Sequence, residues 1–317
     1  KNYGYCFKKN KKMLKNISKE LIGYNEYFNN FVALKHKKKV PKVVMLTGKK
    51  GIGKSTLIFH FLCYLNNSND YDLNKKNILN EDFIKNTYQN LNPNILYINC
   101  ENQNERKIDF IRKIKSQISN SVIKGSSRFI LIDDVELLNV NSSNALLKII
   151  EEPSISNFFI LINNNSQKIL ETIKSRCIEF KFFLNESSKN KIIDRIIVEE
   201  RIKNNLQYKE LDISPGNFLF FSKIFSNNDI DVNENLVSNT DLLLQKYRLT
   251  KTESFFNCAK YLIESHFFLL SKSNMAKVEF LNNLRSLIIY DLIKYKILNL
   301  NHKNFIETLN IQLKNVG

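Results

Sequence analysis

The stretch VVMLTGKKGIGKST, Val43 to Thr56, joins an apolar run to a glycine-rich loop. Its second half, Gly48-x-x-x-x-Gly53-Lys54-Ser55, has the complete spacing of a phosphate-binding loop. The glycines let the backbone turn so that several N–H groups point inward at phosphates. Lys54 would reach the terminal phosphates, and the Ser55 hydroxyl would coordinate Mg²⁺. A loop that keeps this shape without binding nucleotide is the alternative. The candidate binding residues are Gly48, Gly51, Gly53, Lys54, Ser55 and Thr56.

Four further apolar runs follow the loop, and each predicts a short strand: ILYIN (Ile95–Asn99), FILI (Phe129–Ile132), FFILI (Phe158–Ile162) and IEFKF (Ile178–Phe182). VVMLT and the first three of these runs are continuous rather than alternating, as in strands that are buried on both faces of a parallel sheet. Helical patterns lie between the runs, so strand and helix alternate. This alternation predicts an α/β domain with crossover helices.

Two segments of this domain carry weaker signals. Residues 144–152 predict a helix with Ser142 or Ser143 near its N-terminal cap and Pro153 at its end. Residues 66–93 are rich in Asn, Asp and Lys and have little periodicity, so we expect a surface insertion there. Beyond about residue 184 only helical patterns follow. A chain of 317 residues is long enough for two or three domains, and this change of pattern marks a boundary.

The composition limits the classes of protein to which the chain can belong. The formal net charge of +17 fits either a phosphate-rich partner or the Lys-rich codon usage of an AT-rich genome. The five cysteines are widely spaced and form no C-x-x-C pair, so neither disulfides nor zinc are predicted. No apolar run reaches the roughly 18 residues of a membrane span, and no signal-peptide core is visible. We expect a soluble, cytoplasmic protein with no membrane partner.

A phosphate-loop site also needs an acidic residue at the end of a neighbouring strand, because a carboxylate there holds the metal ion. Asp133 follows the run Phe129–Ile132 directly and is the candidate for this role. Asp134 comes next, and Glu136 lies two residues further on, where it need not point in the same direction. The predicted ligands of Mg²⁺, which would arrive with the nucleotide, are therefore Ser55 and Asp133.

The run NALLKIIEEP (Asn144–Pro153), with the later S-R-C at Ser175–Cys177, resembles the clamp-loader branch of the AAA+ proteins. The opening LIGYNEYFNNF (Leu21–Phe31) is also similar to the start of that family. The resemblance is strong over residues 21–183 and concerns only the layout of the helical remainder. It implies four segments: a basic extension at 1–20, a AAA+ parallel-sheet domain that binds ATP at 21–183, a small helical lid at 184–240 and an all-helical collar domain at 241–317.

The resemblance also assigns roles to single residues. It implies that Arg176 is an arginine finger, supplied in trans to the γ-phosphate in a neighbouring subunit, where a guanidinium binds phosphate oxygens in pairs. Family members have a polar sensor residue where Asn163, Asn164 and Asn165 end the fourth predicted strand. Asn163 or Asn164 would hydrogen-bond the γ-phosphate or the attacking water, although three consecutive Asn residues also fit a turn.

Asp134 departs from the pattern of hydrolysing AAA+ proteins, in which Glu usually follows the metal-binding Asp and polarises the attacking water. An Asp side chain is one methylene shorter, so its carboxylate would lie about 1 Å too far back, an error that can cost on the order of a hundredfold in rate. Asp134 is the catalytic candidate of this site. We expect nucleotide binding with slow or absent hydrolysis.

Within the family, the sequence favours the delta-prime type of subunit over the motor type, called gamma or tau. Motor subunits carry a four-cysteine zinc module between the loop and the metal-binding Asp, and only Cys63 and Cys100 lie in this interval. They also carry a nucleotide-sensing Arg at the start of a lid helix, whereas Ser214–Asn217 (SPGN) stands at the corresponding place. The complete phosphate loop argues mildly for the motor type.

The function that the resemblance implies is that of a rigid partner in the clamp loader of DNA polymerase III, which places the sliding clamp on primed DNA. The implied partners are gamma/tau and delta subunits, the sliding clamp and, through the complex, primed DNA. An autonomous motor-type or other AAA+ ATPase is the alternative. A DNA-binding module is a third hypothesis, and it requires the Lys and Arg side chains to cluster on one face.

Overall fold

The computed structural model describes residues 17–100, 115, 118, 127–202, 206, 208–231 and 235–314. The chain forms two compact units, of which the first ends at Ile192 and the second begins at Ile193. The predicted parallel-sheet domain, followed by a helical remainder, is confirmed. The domain boundaries expected at residues 20, 183 and 240 stay predictions, and residues 1–16 of the expected basic extension lie outside the described part.

The strands, in chain order, are β1 (Val43–Thr47), β2 (Tyr71–Asp72), β3 (Asn77–Ile78), β4 (Ile95–Asn99), β5 (Arg128–Asp133), β6 (Asn157–Asn163) and β7 (Ile178–Lys181). β2 and β3 form a small antiparallel hairpin. The other five strands form one parallel sheet in the spatial order β4-β5-β6-β1-β7. The five predicted strands are confirmed to within one residue at each end, because continuous apolar runs mark strands that are covered on both faces.

The strand order decides where the site lies. β1 enters the sheet between β6 and β7, both of which come much later in the chain. The carboxyl ends of β5, β6 and β1 are therefore adjacent at the same end of the sheet. In open parallel sheets, ligands bind outside the carboxyl ends of the strands, where the strand order changes direction.

The helices of the first unit are α1 (Asn25–His36), α2 (Lys54–Asn66), α3 (Glu81–Tyr88), α4 (Val140–Ile150), α5 (Glu171–Lys174) and the first half of α6 (Glu186–Glu199). The second unit contains the rest of α6 and α7 (Pro215–Asn227), α8 (Leu236–Thr250), α9 (Glu253–Ser273), α10 (Val278–Ile297) and α11 (His302–Lys314). None of the helices in the described ranges is long and apolar enough to cross a membrane.

Each unit has its own apolar core. One face of the sheet packs against α1 and α2 through residues such as Phe28, Phe31 and Leu57. The other face packs against α4 through Leu146 and Ile150. The core of the second unit is a separate cluster that draws buried side chains from α6 to α11. The two units therefore bury apolar area independently of one another.

The N-terminal cap of α4 is Asn139, so the prediction of Ser142 or Ser143 was wrong. The Asn139 side chain accepts a hydrogen bond from the backbone N–H of Ser142 at 2.8 Å. Ser142 and Ser143 are buried within the first turns of the helix. The helix begins before the first residue of the NALLK run because Asn139 satisfies a backbone donor that would otherwise be unpaired.

Residues 66–93 form packed structure, so the expectation of a surface insertion was also wrong. This segment contains the β2–β3 hairpin and α3. Its side chains Tyr71, Ile78 and Phe83 are each at most 4% exposed and belong to the core beside α2. The apolar residues of such short elements stand singly between polar ones, which is why the sequence shows no long period.

Candidate functional site

β1 brings the phosphate loop to the carboxyl edge of the sheet, and α2 begins at the last residues of the loop. Gly48 is required because an added Cβ would lie 2.7 Å from the carbonyl oxygen of Phe182. Gly53, the N-cap of α2, has a φ of 100°, which residues with a side chain rarely adopt. Gly51 also has a positive φ, and Thr56 is half-buried in the first turn of α2. The loop thus has the turn and the helix N-terminus of an anion-binding site.

Lys54 is buried inside the loop, with 3% of its surface exposed. Its Nζ donates hydrogen bonds to the carbonyl oxygens of Gly48, at 2.6 Å, and Lys49, at 2.7 Å. Burial lowers the pKa of Lys54 to about 8, and the nearby carboxylates of Asp133, Glu136 and Asp134 act in the opposite direction. These two carbonyl contacts use two of the three N–H donors of the ammonium.

The two predicted metal ligands lie together. The Ser55 hydroxyl donates a hydrogen bond to Asp133 Oδ2 at 3.0 Å, and the Tyr97 hydroxyl donates to the same oxygen at 3.3 Å. Burial and then repulsion from Asp134 raise the pKa of Asp133 to about 7. Among the described residues, no group of three or more His, Cys, Asp or Glu side chains is placed so that it could hold a metal ion by itself. This pair fits an ion such as Mg²⁺, which takes few ligands from protein and most from phosphates and water.

Asp134 links the phosphate loop to two strand ends. It is 4% exposed and has a left-handed φ of 56°, which Asp tolerates better than most residues. Its Oδ1 accepts a hydrogen bond from Asn164 Nδ2 at 2.9 Å and lies 3.3 Å from Lys50 Nζ. One oxygen of the catalytic candidate is therefore already shared by a cation and an amide.

The three Asn residues after β6 have different partners. The Asn163 side chain accepts a hydrogen bond from the backbone N–H of Asn165 at 3.0 Å, which is a turn contact. Asn164 binds Asp134, as described above. The run thus combines a turn with a polar contact inside the site, and a sensor role for Asn163 stays a prediction.

Glu136 is a buried carboxylate beside these strand ends. Its Oε1 accepts hydrogen bonds from the Ser166 hydroxyl, at 2.8 Å, and from the backbone N–H of Asn164, at 3.1 Å. Its Oε2 is buried and has no hydrogen-bond partner among the described residues. Such an orphaned oxygen marks a place where a water molecule or a ligand group belongs.

Arg176 lies at the opposite end of the sheet, beside the amino ends of the strands. It precedes β7, and Ile178 at the start of β7 is opposite Val44, near the amino end of β1. The phosphate loop follows the carboxyl end of β1, opposite Lys181. The length of β7, four residues or about 13 Å, therefore separates Arg176 from the phosphate loop of its own chain. The guanidinium is exposed and forms an ion pair with Glu151, Nη2 to Oε1, at 2.7 Å.

This combination of a phosphate loop, an acid pair and a five-stranded parallel sheet has a counterpart among known proteins. Residues 23–185, more than half of the chain, match the family described as "DNA polymerase III, delta subunit". The chain belongs to this family. The family resemblance inferred from the NALLKIIEEP run, the S-R-C at Ser175–Cys177 and the opening at Leu21–Phe31 is thereby confirmed.

Two DNA polymerase III subunits are similar to this chain over different lengths. A delta' subunit from Buchnera aphidicola subsp. Acyrthosiphon pisum is 28% identical over 202 residues, which are 63% of this chain and 60% of the relative. A gamma subunit from the same organism is 31% identical over 161 residues, which are 50% of this chain and 43% of that protein. The matches thus span less than two thirds of either relative.

One solved structure of a DNA polymerase III gamma subunit-related protein, from Thermotoga maritima, superposes with a TM-score of 0.48 at 16% identity. It covers 90% of this chain and 99% of that one.

Three residues of this DNA polymerase III family member contact the predicted site residues although the sequence did not indicate them. Lys50 lies at a variable position of the loop motif, and Tyr97 is one apolar residue among several in β4. Glu151 was within the NALLKIIEEP run but had no role assigned to it. Only Glu151 carried a usable signal, because a carboxylate next to a helix end commonly pairs with a cation.

The remaining predicted features lie elsewhere. Ser214 caps α7, where its hydroxyl accepts a hydrogen bond from the Asn217 N–H at 3.4 Å, and Pro215 is the first helical residue. This segment belongs to the second unit. Among the described residues, the cysteines at 63, 100, 177 and 258 are free thiols.

Proposed function

We propose that this chain is a delta-prime-type subunit of the DNA polymerase III clamp loader and helps to place the sliding clamp on primed DNA. Its partners are gamma/tau and delta subunits, and it reaches clamp and DNA through the complex. In this assembly it supplies Arg176 to the ATP site of a neighbouring motor subunit. Its own phosphate loop binds ATP with Mg²⁺ weakly and hydrolyses it slowly or not at all.

The position of Arg176 carries this proposal. The Arg176 side chain lies at the amino ends of the strands, whereas Lys54 and Ser55 would bind a phosphate at the carboxyl ends. That phosphate is out of the reach of Arg176. An exposed Arg that binds phosphate from this position therefore has to meet a nucleotide on another subunit. A guanidinium suits that role, since it is always charged and donates two parallel hydrogen bonds to phosphate oxygens.

The contacts of Asp134 support poor hydrolysis by the chain itself. A residue that activates water needs a carboxylate oxygen turned toward the γ-phosphate. Oδ1 of Asp134 is instead held by Lys50 and Asn164. Ser55 and Asp133 would hold Mg²⁺, which neutralises charge on the β- and γ-phosphates when it is bound. Lys54 would contribute the positive charge of the loop.

The test is steady-state ATP hydrolysis by the chain alone and by the assembled clamp loader with clamp and primed DNA. We expect no turnover by the chain alone and full turnover by the complex. Arg176→Ala should lower the rate at the completed site by about 10³- to 10⁵-fold, the usual worth of an arginine finger. Lys174→Ala, which removes a surface cation paired with Glu171, is the matched control and should leave turnover unchanged. Wild-type turnover with Arg176→Ala contradicts the proposal.

A motor-type ATPase is the second candidate. It is supported by the complete phosphate loop, by the direct contact between Ser55 and Asp133, and by the similarity to gamma subunits. In that case the chain alone hydrolyses ATP, and Lys54→Ala abolishes the activity while Arg176→Ala in the isolated chain leaves it intact. The same assay thus separates the two candidates.

A further inference from the structure

Two helix ends of its own chain hold the guanidinium of Arg176. Nη1 donates a hydrogen bond to the backbone carbonyl of Thr172 at 2.9 Å, and the same nitrogen lies 3.4 Å from the Ser175 hydroxyl. Nη2 forms the ion pair with Glu151, the residue that ends α4. The contacts of Arg176 within the described ranges are thus made by its two terminal nitrogens.

We propose that Glu151 is a positioning residue for Arg176, an inference that rests on the arginine-finger function proposed above. Thr172 and Glu151 each contact a different terminal nitrogen of the planar guanidinium. The Nε–H and the second N–H of Nη2 lie along one edge of this plane, and a carboxylate or phosphate binds such an edge with two parallel hydrogen bonds. The Nε–H has no hydrogen-bond partner among the described residues, so this edge keeps a donor for an oxyanion of the neighbouring subunit.

The ion pair contributes little to the stability of the fold. The Arg176 and Glu151 side chains are 38% and 43% exposed, and pairs with that much solvent contact are strongly screened. The effect of the Glu151–Arg176 ion pair on ATP hydrolysis in the neighbouring subunit arises instead from side-chain entropy. A free Arg side chain samples many rotamers, and the entropy of ordering it is lost when it binds phosphate. Pairing with Glu151 restricts those rotamers beforehand.

The size of the effect follows from that entropy. Immobilising one long side chain at an interface changes an equilibrium by about 3- to 10-fold. We therefore expect Glu151→Ala to lower kcat of the assembled clamp loader by about this factor. The KM for ATP should stay unchanged, because the neighbour's own loop binds the nucleotide. Glu151→Gln keeps an acceptor oxygen for Nη2 and should recover part of the loss.

The experiment measures ATP turnover of the full complex with clamp and primed DNA, with assembly checked by gel filtration. The variants are Glu151→Ala, Glu151→Gln, Arg176→Ala and the double variant Glu151→Ala/Arg176→Ala. Glu152→Ala is the matched control, because this adjacent exposed carboxylate forms no ion pair with Arg176 among the described residues. The double variant should be no slower than Arg176→Ala alone, since Glu151 acts only through Arg176.

The outcomes separate the two proposals. If Arg176→Ala leaves turnover unchanged, the arginine-finger function itself is wrong. If Arg176→Ala abolishes turnover while Glu151→Ala behaves like Glu152→Ala, only the positioning role is overturned. A rise in turnover with Glu151→Ala would also overturn it, because the carboxylate would then be competing with the phosphate. If Glu151→Ala lowers turnover by the same factor in the Arg176→Ala background as in the wild type, Glu151 acts through a route other than Arg176.

Discussion

Lys54 illustrates how a buried cation can be prepared for an anionic ligand. Its ammonium is held by two loop carbonyls, and burial lowers its pKa to about 8. These carbonyl dipoles stabilise the charge less well than phosphate oxygens do. A bound triphosphate should therefore raise the pKa of Lys54, and the free energy of that change contributes to nucleotide affinity.

This shift predicts proton uptake on ATP binding. At pH 8.5 the free loop is less than half protonated at Lys54, and phosphates favour the charged form, so binding should take up about half a proton or more. Titration calorimetry in two buffers that differ in protonation enthalpy measures this number. Lys54→Arg is the control, because a guanidinium stays charged and takes up no proton. Identical heats in both buffers for the wild type would contradict the prediction.

At the same scale, the Asp133–Asp134 pair shows how neighbours in sequence acquire separate roles. Asp133 contacts Ser55 and Tyr97, whereas Asp134 contacts Lys50 and Asn164. The backbone at Asp134 is in the left-handed region, unlike the strand residue Asp133 that precedes it. The sequence predicted Asp133 as the residue facing Ser55, because strand ends meet at one edge. The partners of Asp134 lie 84 and 30 residues away and depended on the strand order.

Among the elements, α4 has the clearest local determinant. Asn139 accepts a hydrogen bond from the Ser142 N–H and is itself exposed, so its side chain has little other packing. Asn139→Ala should lower the free energy of unfolding by about 1 kcal/mol, the usual worth of such a cap.

Urea denaturation of the full chain, followed by circular dichroism, measures the effect. Asn141→Ala is the matched control, since this exposed residue lies inside α4 and gains helix propensity from the change. Equal losses for the two variants, or a loss only for Asn141→Ala, would show that Asn139 is not the cap.

At the scale of the whole molecule, the two units have separate cores, and a core substitution should act on one unit only. Leu262 in α9 is fully buried in the second unit. Leu262→Ala should lower the free energy of unfolding of that unit by about 2–5 kcal/mol, through lost burial and the cavity that remains.

Hydrogen exchange read peptide by peptide separates the units. We expect faster exchange in α7 to α11 and unchanged exchange in the parallel sheet. Leu249→Ala is the control, because Leu249 in α8 is 85% exposed and should change stability by less than about 0.5 kcal/mol. Parallel loss of protection in both units would show that they unfold as one.

The features that could be predicted from the amino-acid sequence are those that depend on residues close together in the chain. The strands were visible as continuous apolar runs, because a strand covered on both faces needs apolar side chains at every position. The phosphate loop was visible because its turn needs glycines at fixed spacing before a helix. The α4 cap and the fold of residues 66–93 were missed, since short elements carry few residues and weak periodicity.

The side chains that meet across the sheet could not be predicted from the sequence, because their contacts depend on how the strands are arranged. The sheet places β1 two strands from β5, which brings Lys50 to Asp134, and it aligns β7 parallel to β1, which puts Arg176 at the end of the strands opposite its own loop. Glu151 and Arg176, at two helix ends, become partners for the same reason. Propensity and spacing act over a few residues, whereas strand order is settled by the packing of the complete domain. The parallel direction of β7 and β1 separates the Arg176 side chain from the nucleotide loop of its own chain.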